Sequence, residues 1–444
     1  MGLRERFHLA ELGTDPRREV VAGLTTFAAM AYILVVNPGL LAAAGLDPAG
    51  LVTVTALAAA AGTLLMAALT NYPLALAPGM GLNAFFALTV CGSMGVPWQA
   101  ALGMVFWNGI LFLALSLSGI RERIADAIPE CLKVGVQAGI GLFIGFIGLR
   151  GAGVIVASPA TLVTLGDLGE PALLLTIAGI IAAAAMVTVG VRAGILVAIL
   201  GVSALGLVVP LGEATVTSPP EALVGIPAGI GETFLALDLG YTWRHPWEAL
   251  PVVLALLFVD LFDTIGTLIG VSRQAGLVDR EGRLPRMGRA LSADAAATVI
   301  GACLGTSTTT SYIESAAGVE AGGRSGLVGV VVAGCFLVAL IFAPLIAVIP
   351  PQASAAALVV VGASMLGGLA GLDVGDRPAL LGAFVTLLAI PLTFSISEGI
   401  ALGFVVHAGV MALAGRGREL GGLTWILTLL CVAHLVGPAL ARAL

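Results

Sequence analysis

Charged residues are scarce in this sequence: they make up 10% of its 444 residues, while 59% are hydrophobic. Together with a mean hydropathy of +1.08, this composition excludes a soluble globular domain of this size. Aromatic residues are also few, at 6%, whereas 60 glycines allow transmembrane helices to approach each other closely. There is no basic tract of the kind that binds nucleic acid. The expected surroundings of the chain are therefore a lipid bilayer.

Cysteine and histidine are sparse as well, and neither has the spacing of a metal site. The five cysteines are scattered, mostly within apolar runs, and form no CxxC pair. No constellation of a nucleophile and a base indicates an enzyme, so we expect no catalytic activity, metal or cofactor. The first 19 residues are too polar to form a cleavable signal peptide, and they are predicted to remain as an N-terminal segment.

Apolar runs recur from Val20 to the C-terminus, and each is long enough to cross a hydrocarbon core about 30 Å thick. Their continuity indicates helices rather than the alternating strands of a barrel. We predict an all-α polytopic membrane protein with 14 transmembrane segments. A fifteenth apolar stretch, 422–441, has two interpretations. Either it is an additional segment after the 14, or 379–414 forms a single interrupted segment and 422–441 is the fourteenth. The predicted segments are 20–43, 50–70, 74–90, 97–118, 132–150, 171–190, 193–211, 248–271, 289–303, 305–318, 326–349, 353–371, 379–395 and 397–414.

Basic residues fall on one side of these segments, which predicts that this side is cytoplasmic and that the chain lies in the inner membrane. The longest loop, 212–247, contains Glu213, Glu221, Glu232 and Asp238, as an external loop should. Seven segments precede this loop and seven follow it, so the two halves have opposite orientations and the N-terminus is cytoplasmic. The basic residues on the cytoplasmic side are Arg17, Arg18, Arg121, Arg123, Lys133, Arg192, Arg273, Arg280, Arg283, Arg286 and Arg289.

Two inverted seven-segment repeats are typical of secondary transporters, whose substrate site lies near the midplane where broken helices meet. Matching interruptions occur in the third segment of each half, that is, in segments 3 and 10. ALAPGMGLNAFF contains proline and glycine, and LGTSTTTSYIES is rich in hydroxyl groups. Because these residues disfavour helix, each segment is predicted to begin as a short strand and to become helical near Asn83 or Glu314.

The spacing of the two halves supports this alignment. Met30, midway along segment 1, precedes Asn83 by 53 residues, and Asp260, midway along segment 8, precedes Glu314 by 54. The two interruptions therefore occupy equivalent positions in the two repeats. Non-helical backbone at this depth is tolerated only where it faces protein or a water-filled cavity, and a cavity is the simpler interpretation.

Three carboxylates, Asp260, Asp263 and Glu314, lie inside predicted segments, where each costs about 2.5–3.5 kcal/mol on insertion scales. No Lys or Arg lies at comparable depth, and burial without a cation strengthens the binding of a proton by a carboxylate. We expect Asp260 and Glu314 to bind substrate and proton and Asp263 to support them. The alternative is that these acids only form hydrogen bonds between helices. Further candidates for lining the cavity are Thr25, Thr26, Thr264, Thr267, Thr308 and Thr310.

The expected ligand follows from these groups. Two carboxylates would repel an inorganic anion, whereas each accepts N–H groups of a small, neutral, planar molecule. Asn83 adds one amide donor and one acceptor, unless it acts instead as a helix cap.

The segments FVDLFDTIGTLIG, LAPGMGLNAFF and GTSTTTSYIESAAGVEAGGRSGL resemble the hallmark motifs of the AzgA-like purine permeases, within the nucleobase–ascorbate transporter group. The resemblance runs from residue 23 to residue 404. It implies a core domain (segments 1–4 and 8–11) that holds substrate and a gate domain (segments 5–7 and 12–14). Members of that family import hypoxanthine, guanine or adenine, generally with a proton as the coupling ion. Their binding residues match Asn83, Asp260 and Glu314 here, with Asp263 as a supporting acid.

The resemblance also implies a homodimer formed through the gate domain. Two residues depart from the family pattern: Leu88 stands where an aromatic is common, and Ser311 stands where threonine is frequent. Both flank the expected site, so the sequence does not determine which base is preferred. The alternative functions are a uracil or xanthine carrier, an anion transporter and, more remotely, a channel or membrane enzyme. The expected domains are the N-terminal segment 1–19, core 20–118, gate 132–211, external loop 212–247, core 248–349 and gate 353–444.

Overall fold

The computed structural model describes residues 3–118, 128–220, 222–278 and 284–443. Five charged residues used above to predict the orientation, Arg121, Arg123, Glu221, Arg280 and Arg283, lie outside this part of the chain. The helices of the first half are α1 (Leu3–Arg6), α2 (Pro16–Met30), α3 (Ile33–Leu41), α4 (Pro48–Thr70), α5 (Met80–Ala84), a π-helical stretch (Phe85–Ser93), α6 (Trp98–Ser118), α7 (Glu130–Gly151), α8 (Pro171–Thr188) and α9 (Gly194–Gly206).

The second half is helical in the same way, and six short strands lie outside the helices. Its helices are α10 (Tyr241–Arg244), α11 (Pro246–Gln274), α12 (Met287–Leu304), α13 (Ser315–Glu320), α14 (Leu327–Ala339), α15 (Ala343–Ala347), α16 (Pro351–Met365), α17 (Arg377–Thr393), α18 (Ile396–Leu413) and α19 (Gly422–Ala443). The strands are β1 (Leu76–Pro78), β2 (Ile155–Ser158), β3 (Leu162–Leu165), β4 (Pro210–Leu211), β5 (Ala214–Thr215) and β6 (Thr309–Ser311).

Every predicted segment corresponds to an apolar element of this structure, so the prediction of a helical, multi-pass membrane protein is confirmed. Within the described residues, nine helices are long and apolar enough to cross a membrane. The other predicted segments are shorter or, in the case of α12, less apolar, and they include the two interrupted ones. Helix α19 occupies the fifteenth apolar stretch, and its crossing of the membrane stays a prediction.

Segment 1 has a local distortion that the sequence did not predict. Helix α2 ends at Met30 and α3 begins at Ile33, with Ala31 and Tyr32 in a turn between them. No proline or glycine lies at this turn, which is why the apolar pattern gave no sign of it. Ala31 and Tyr32 keep helical backbone angles, so Pro16–Ala44 still runs as one span of 29 residues.

Strands β1 and β6 confirm the predicted strands in segments 3 and 10. They pair antiparallel, with Leu76 opposite Ser311 and Pro78 opposite Thr309. Two buried threonines form hydrogen bonds with backbone groups at the outer edges of this pair. Thr63 Oγ1 accepts from Leu76 N at 2.9 Å, and Thr298 Oγ1 donates to Thr309 O at 3.0 Å. Non-helical backbone therefore finds its hydrogen bonds inside the protein, as the bilayer requires.

Helix packing falls into two sets. The strand pair is surrounded by segments 1, 2, 4, 8, 9 and 11, which pack mainly on one another, while segment 5 packs on segments 12 and 13. Glycine permits the closest approach in the second set, because a Cβ on Gly141 would lie 2.4 Å from the carbonyl oxygen of Gly362. This division is consistent with the predicted core and gate, whose boundaries remain a prediction.

Loops define two faces of the molecule. On one, which we call the long-loop face, Asp238 N donates to Gln99 O at 2.9 Å and Leu235 N donates to Cys303 O at 2.8 Å. On the other, the N-terminal face, the carboxylate of Glu19 is fully buried and accepts hydrogen bonds from Ser325 Oγ at 2.6 Å and Arg324 N at 2.9 Å. Glu19 therefore ties the start of segment 1 to the turn between segments 10 and 11.

Candidate functional site

The two interrupted segments bring Asn83 and Glu314 to the middle of the fold. Helix α5 begins at Met80, directly after β1, so Asn83 lies in its first turns, whereas Glu314 immediately precedes α13. Because β1 and β6 pair antiparallel, the two helices start at opposite ends of this strand pair, where Gly79 N donates to Thr308 O at 2.9 Å and Tyr312 N donates to Ala75 O at 2.9 Å. Gly79 occupies the N-cap position of α5, so the alternative of Asn83 as a helix cap is wrong.

Asn83 belongs to a fully buried network of amides and hydroxyls. Its Nδ2 donates to Asn37 Oδ1 at 2.6 Å, and its Oδ1 accepts from Ser307 Oγ at 2.7 Å. Asn37 in turn donates to Thr55 Oγ1 at 2.7 Å and to Thr306 Oγ1 at 3.2 Å. The network joins segments 1, 2, 3 and 10, and it leaves one N–H of Asn83 for another partner.

Glu314 is half-buried and is oriented by Tyr32, which the sequence analysis missed. The Tyr32 phenol is completely buried at the turn between α2 and α3, and it donates a short hydrogen bond to Glu314 Oε1. With Oε1 engaged, Oε2 is the oxygen that is free to accept from a ligand. A signal for Tyr32 exists in the sequence, because only four tyrosines occur and this one lies within an apolar run.

Asp260 is fully buried, and the Thr310 side chain is one hydrogen-bonding neighbour of its carboxylate. Its Oδ2 accepts a long hydrogen bond from Asn108 Nδ2, at 3.4 Å, while Oδ1 has no partner among the described residues. Asp263 is half-buried, one turn further along α11, and interacts electrostatically with Glu314. No ion pair in the described part of the chain joins any of these three acids to a cation.

A fourth membrane acid, Asp294 in segment 9, was also missed. It is fully buried; its Oδ2 accepts from Thr264 Oγ1 at 2.9 Å and its Oδ1 accepts from Ser311 Oγ at 2.8 Å. Thr264 also bonds Thr310 at 2.8 Å. Asp294 thus fastens α11 to β6, and its place inside a predicted segment was the signal that could have found it.

The remaining predicted threonines differ in their surroundings. Thr25 bonds its own helix at Val21 O, 2.8 Å away, so it is not drawn into the site by a hydrogen bond. Thr26, Thr267 and Thr308 are buried. The hydroxyls of Thr26 and Thr308 have no partner in the described structure, and buried polar groups of that kind usually serve a bound molecule or water.

The arrangement combines acceptors without counter-ions, an amide and unpaired hydroxyls at two facing helix breaks. Sites of this construction near the midplane define a class, the membrane carriers with discontinuous helices. A family model described as "Permease family" (Xan_ur_permease) matches residues 17–402. The chain belongs to this family.

Relatives across nearly the whole chain agree with this assignment. The guanine/hypoxanthine permease PbuG of Bacillus subtilis is 44% identical over 444 residues, covering 97% of this chain and 98% of that protein. The adenine permease AdeP of Escherichia coli is 42% identical over 438 residues, covering 98% and 96%. The resemblance to the purine permeases seen in the sequence motifs is therefore confirmed.

A solved structure shows the same fold at low sequence identity. The transmembrane domain of the cyanobacterial bicarbonate transporter BicA superposes with a TM-score of 0.66 at 15% identity, covering 87% of this chain and 97% of that one. At this identity the similarity concerns the fold alone.

Proposed function

We propose that this permease imports purine nucleobases, hypoxanthine, guanine or adenine, together with a proton. The observation that carries the proposal is the pair of carboxylates, Asp260 and Glu314, at the helix breaks without a cation beside them. The relatives named for guanine, hypoxanthine and adenine supply the substrate class. A purine base is small, neutral and planar, and its ring N–H groups match carboxylate acceptors.

Each polar group has a role in binding. Glu314 Oε2 and Asp260 Oδ1, the oxygens without a hydrogen bond in the described structure, accept N–H groups of the base. The remaining N–H of Asn83 donates to a ring nitrogen or carbonyl. Asp263 on α11 and Asp294 on α12 support this arrangement. An anion would meet four acids, which argues against an anion carrier despite the shared fold.

The proton and the movement complete the cycle. A proton loads onto Asp260 or Glu314 from outside, the base binds beside it, and the core then moves against the gate to expose both to the cytoplasm. The N-terminal face is cytoplasmic in this scheme, because it carries Arg17, Arg18, Arg273, Arg286 and Arg324, while Arg150 and Arg244 lie on the long-loop face. The protein acts in the inner membrane, with a homodimer formed through the gate.

Uptake of radiolabelled hypoxanthine, guanine and adenine tests the proposal in cells that lack their own purine carriers. Wild type, Asp260→Asn, Glu314→Gln and the exposed-loop control Asp167→Asn are compared at equal surface expression, with and without an uncoupler. We expect wild type and the control to take up purine, and we expect the uncoupler to abolish that uptake. The two site variants should take up none. If a well-expressed wild type takes up no purine, the proposed function is wrong, and uptake of labelled uracil, xanthine or bicarbonate then tests the alternative substrates.

A further inference from the structure

Phe394, in the turn between α17 and α18, has an unusual backbone conformation. Its φ is +54°, in the left-handed region that a bulky residue adopts only when its surroundings enforce it. The ring is held edge-on by Phe143 and Phe146 of α7, each with its centroid 5.5 Å away. The Arg150 guanidinium lies over the same ring, 5.6 Å from its centroid. Phe394 is thus fixed on the gate side of the molecule.

The backbone of Phe394 is bonded to the interrupted segment that carries Asn83. Thr89 Oγ1 donates a short hydrogen bond to the carbonyl oxygen of Phe394. Thr89 lies in the π-helical stretch that continues α5, and π-helical turns often occur at functional positions. The bond therefore joins segment 3 of the predicted core to the turn between segments 13 and 14 of the predicted gate.

This contact lies between the candidate site and the long-loop face. Thr89 follows Asn83 by six residues, or about 9 Å along a helix, in the direction of that face. The gate helix α7 runs the same way: a Cβ on Gly81 would lie 2.5 Å from Ile140 Cγ2, and Phe143 follows Ile140 by about one turn. A base that entered from the long-loop face would have to pass this aromatic cluster.

We infer that Phe394 closes the substrate path on the long-loop face and that Thr89 holds it closed. The inference rests on the proposed transport function, and it names the contact that must break when core and gate separate on that side. Phe143, Phe146 and Arg150 keep the ring on the gate side, so the Thr89 bond is a hydrogen bond that joins the two moving parts. Loss of that bond shifts the population of conformers toward the one open to the long-loop face.

Cysteine accessibility tests the inference without any substrate, so its result does not depend on which molecule is carried. Ile144, buried on α7, is replaced by cysteine in the full chain after its five native cysteines are replaced by alanine. Cells are treated from outside with a membrane-impermeant maleimide. The variants are Thr89→Val, Phe394→Leu and the control Thr176→Val, whose hydroxyl bonds only its own helix, at Ala172 O.

We expect external labelling to rise roughly 2- to 12-fold in Thr89→Val, the equivalent of one neutral hydrogen bond, and to rise also in Phe394→Leu. Thr176→Val should label like its parent. Expression level and melting temperature identify any variant that is unfolded. Folded Thr89→Val and Phe394→Leu proteins that both label at the parent rate would overturn the inference, as would an equal increase in the control.

Discussion

Tyr32 and Glu314 are 282 positions apart in the chain and are joined by a hydrogen bond from the phenol to Oε1. The bond connects the middle of segment 1 with the interruption of segment 10, and it engages one of the two carboxylate oxygens. Segment 1 therefore joins the two interrupted segments, 3 and 10, at one place. A carrier that moves its core as a unit needs such ties, because a site assembled from separate segments must keep its geometry during the movement.

Tyr32→Phe is expected to weaken purine binding without unfolding the protein. Removing the phenol leaves Glu314 Oε1 without its donor, and the loss of a hydrogen bond to a carboxylate corresponds to about a 5- to 150-fold change in affinity. Uptake kinetics should show the change in apparent KM. Tyr72→Phe is the matched control, because the Tyr72 hydroxyl has no partner among the described residues. Equal KM values for both variants would contradict a positioning role for Tyr32.

The network around Asn83 predicts that Asn37→Ala resembles Asn83→Ala. Each substitution breaks the bond between the two amides and leaves buried polar partners without a hydrogen bond. The free energy of unfolding falls by about 1–3 kcal/mol for each group left unsatisfied. Both variants should lose thermal stability in detergent and purine uptake in cells. Retention of full uptake by Asn37→Ala, with uptake lost in Asn83→Ala, would contradict a positioning role for Asn37 and would leave only the direct contact of Asn83 with substrate.

Much of the fold was readable from the sequence because two signals are local. Continuous apolar runs determine the segments, and Pro78, Gly79 and the threonines before Ser311 disfavour helix where β1 and β6 occur. The turn at Ala31 and Tyr32 left no such sign, because no proline or glycine lies there and the partner of Tyr32, Glu314, belongs to the opposite repeat.

The candidate site was predicted only in part for the same reason. Asp260 and Glu314 were conspicuous as unpaired acids in apolar helices. The place of Asp294 inside a predicted segment was a sign of this kind, but the partners of Asp294 and Asn37, Thr264 with Ser311 and Thr55 with Thr306, come from other segments. Pairings between distant segments follow from tertiary packing, and no spacing within one segment reports them.

A pH-dependent contribution to stability is expected at the N-terminal face. Arg416 donates to Asp376 Oδ1 at 2.7 Å and to Glu419 Oε2 at 2.8 Å, and its hydrogen bond lowers the pKa of Glu419 from the ordinary value of 4.5. A carboxyl whose pKa is lowered by folding stabilises the protein above its unfolded pKa, and this contribution disappears as the pH falls through the folded value.

Melting temperatures between pH 3 and 7 measure this contribution. Wild type should lose stability as the pH falls below about 4.5, while Glu419→Gln should lack that component and melt slightly lower than wild type at neutral pH. The difference is small because the side chains are exposed and screened by solvent. The control is Glu170→Gln, on an exposed residue that forms no ion pair in the described part of the chain. Identical pH profiles for wild type and Glu419→Gln would exclude a stabilising role for this ion pair.

Gly141→Ala and Gly145→Ala are expected to have opposite effects, although both lie in α7. A Cβ on Gly141 would meet the carbonyl oxygen of Gly362 at 2.4 Å, whereas one on Gly145 has no atom within 4 Å. Backbone atoms cannot turn aside as a flexible side chain does, so Gly141→Ala forces α7 and α16 apart at a cost of about 1–3 kcal/mol. Gly145→Ala gains up to about 1 kcal/mol from helix propensity. The melting temperature of purified Gly141→Ala should therefore lie below that of wild type, and that of Gly145→Ala above it. A Gly141→Ala protein as stable as wild type would mean that the backbones of α7 and α16 are not in contact.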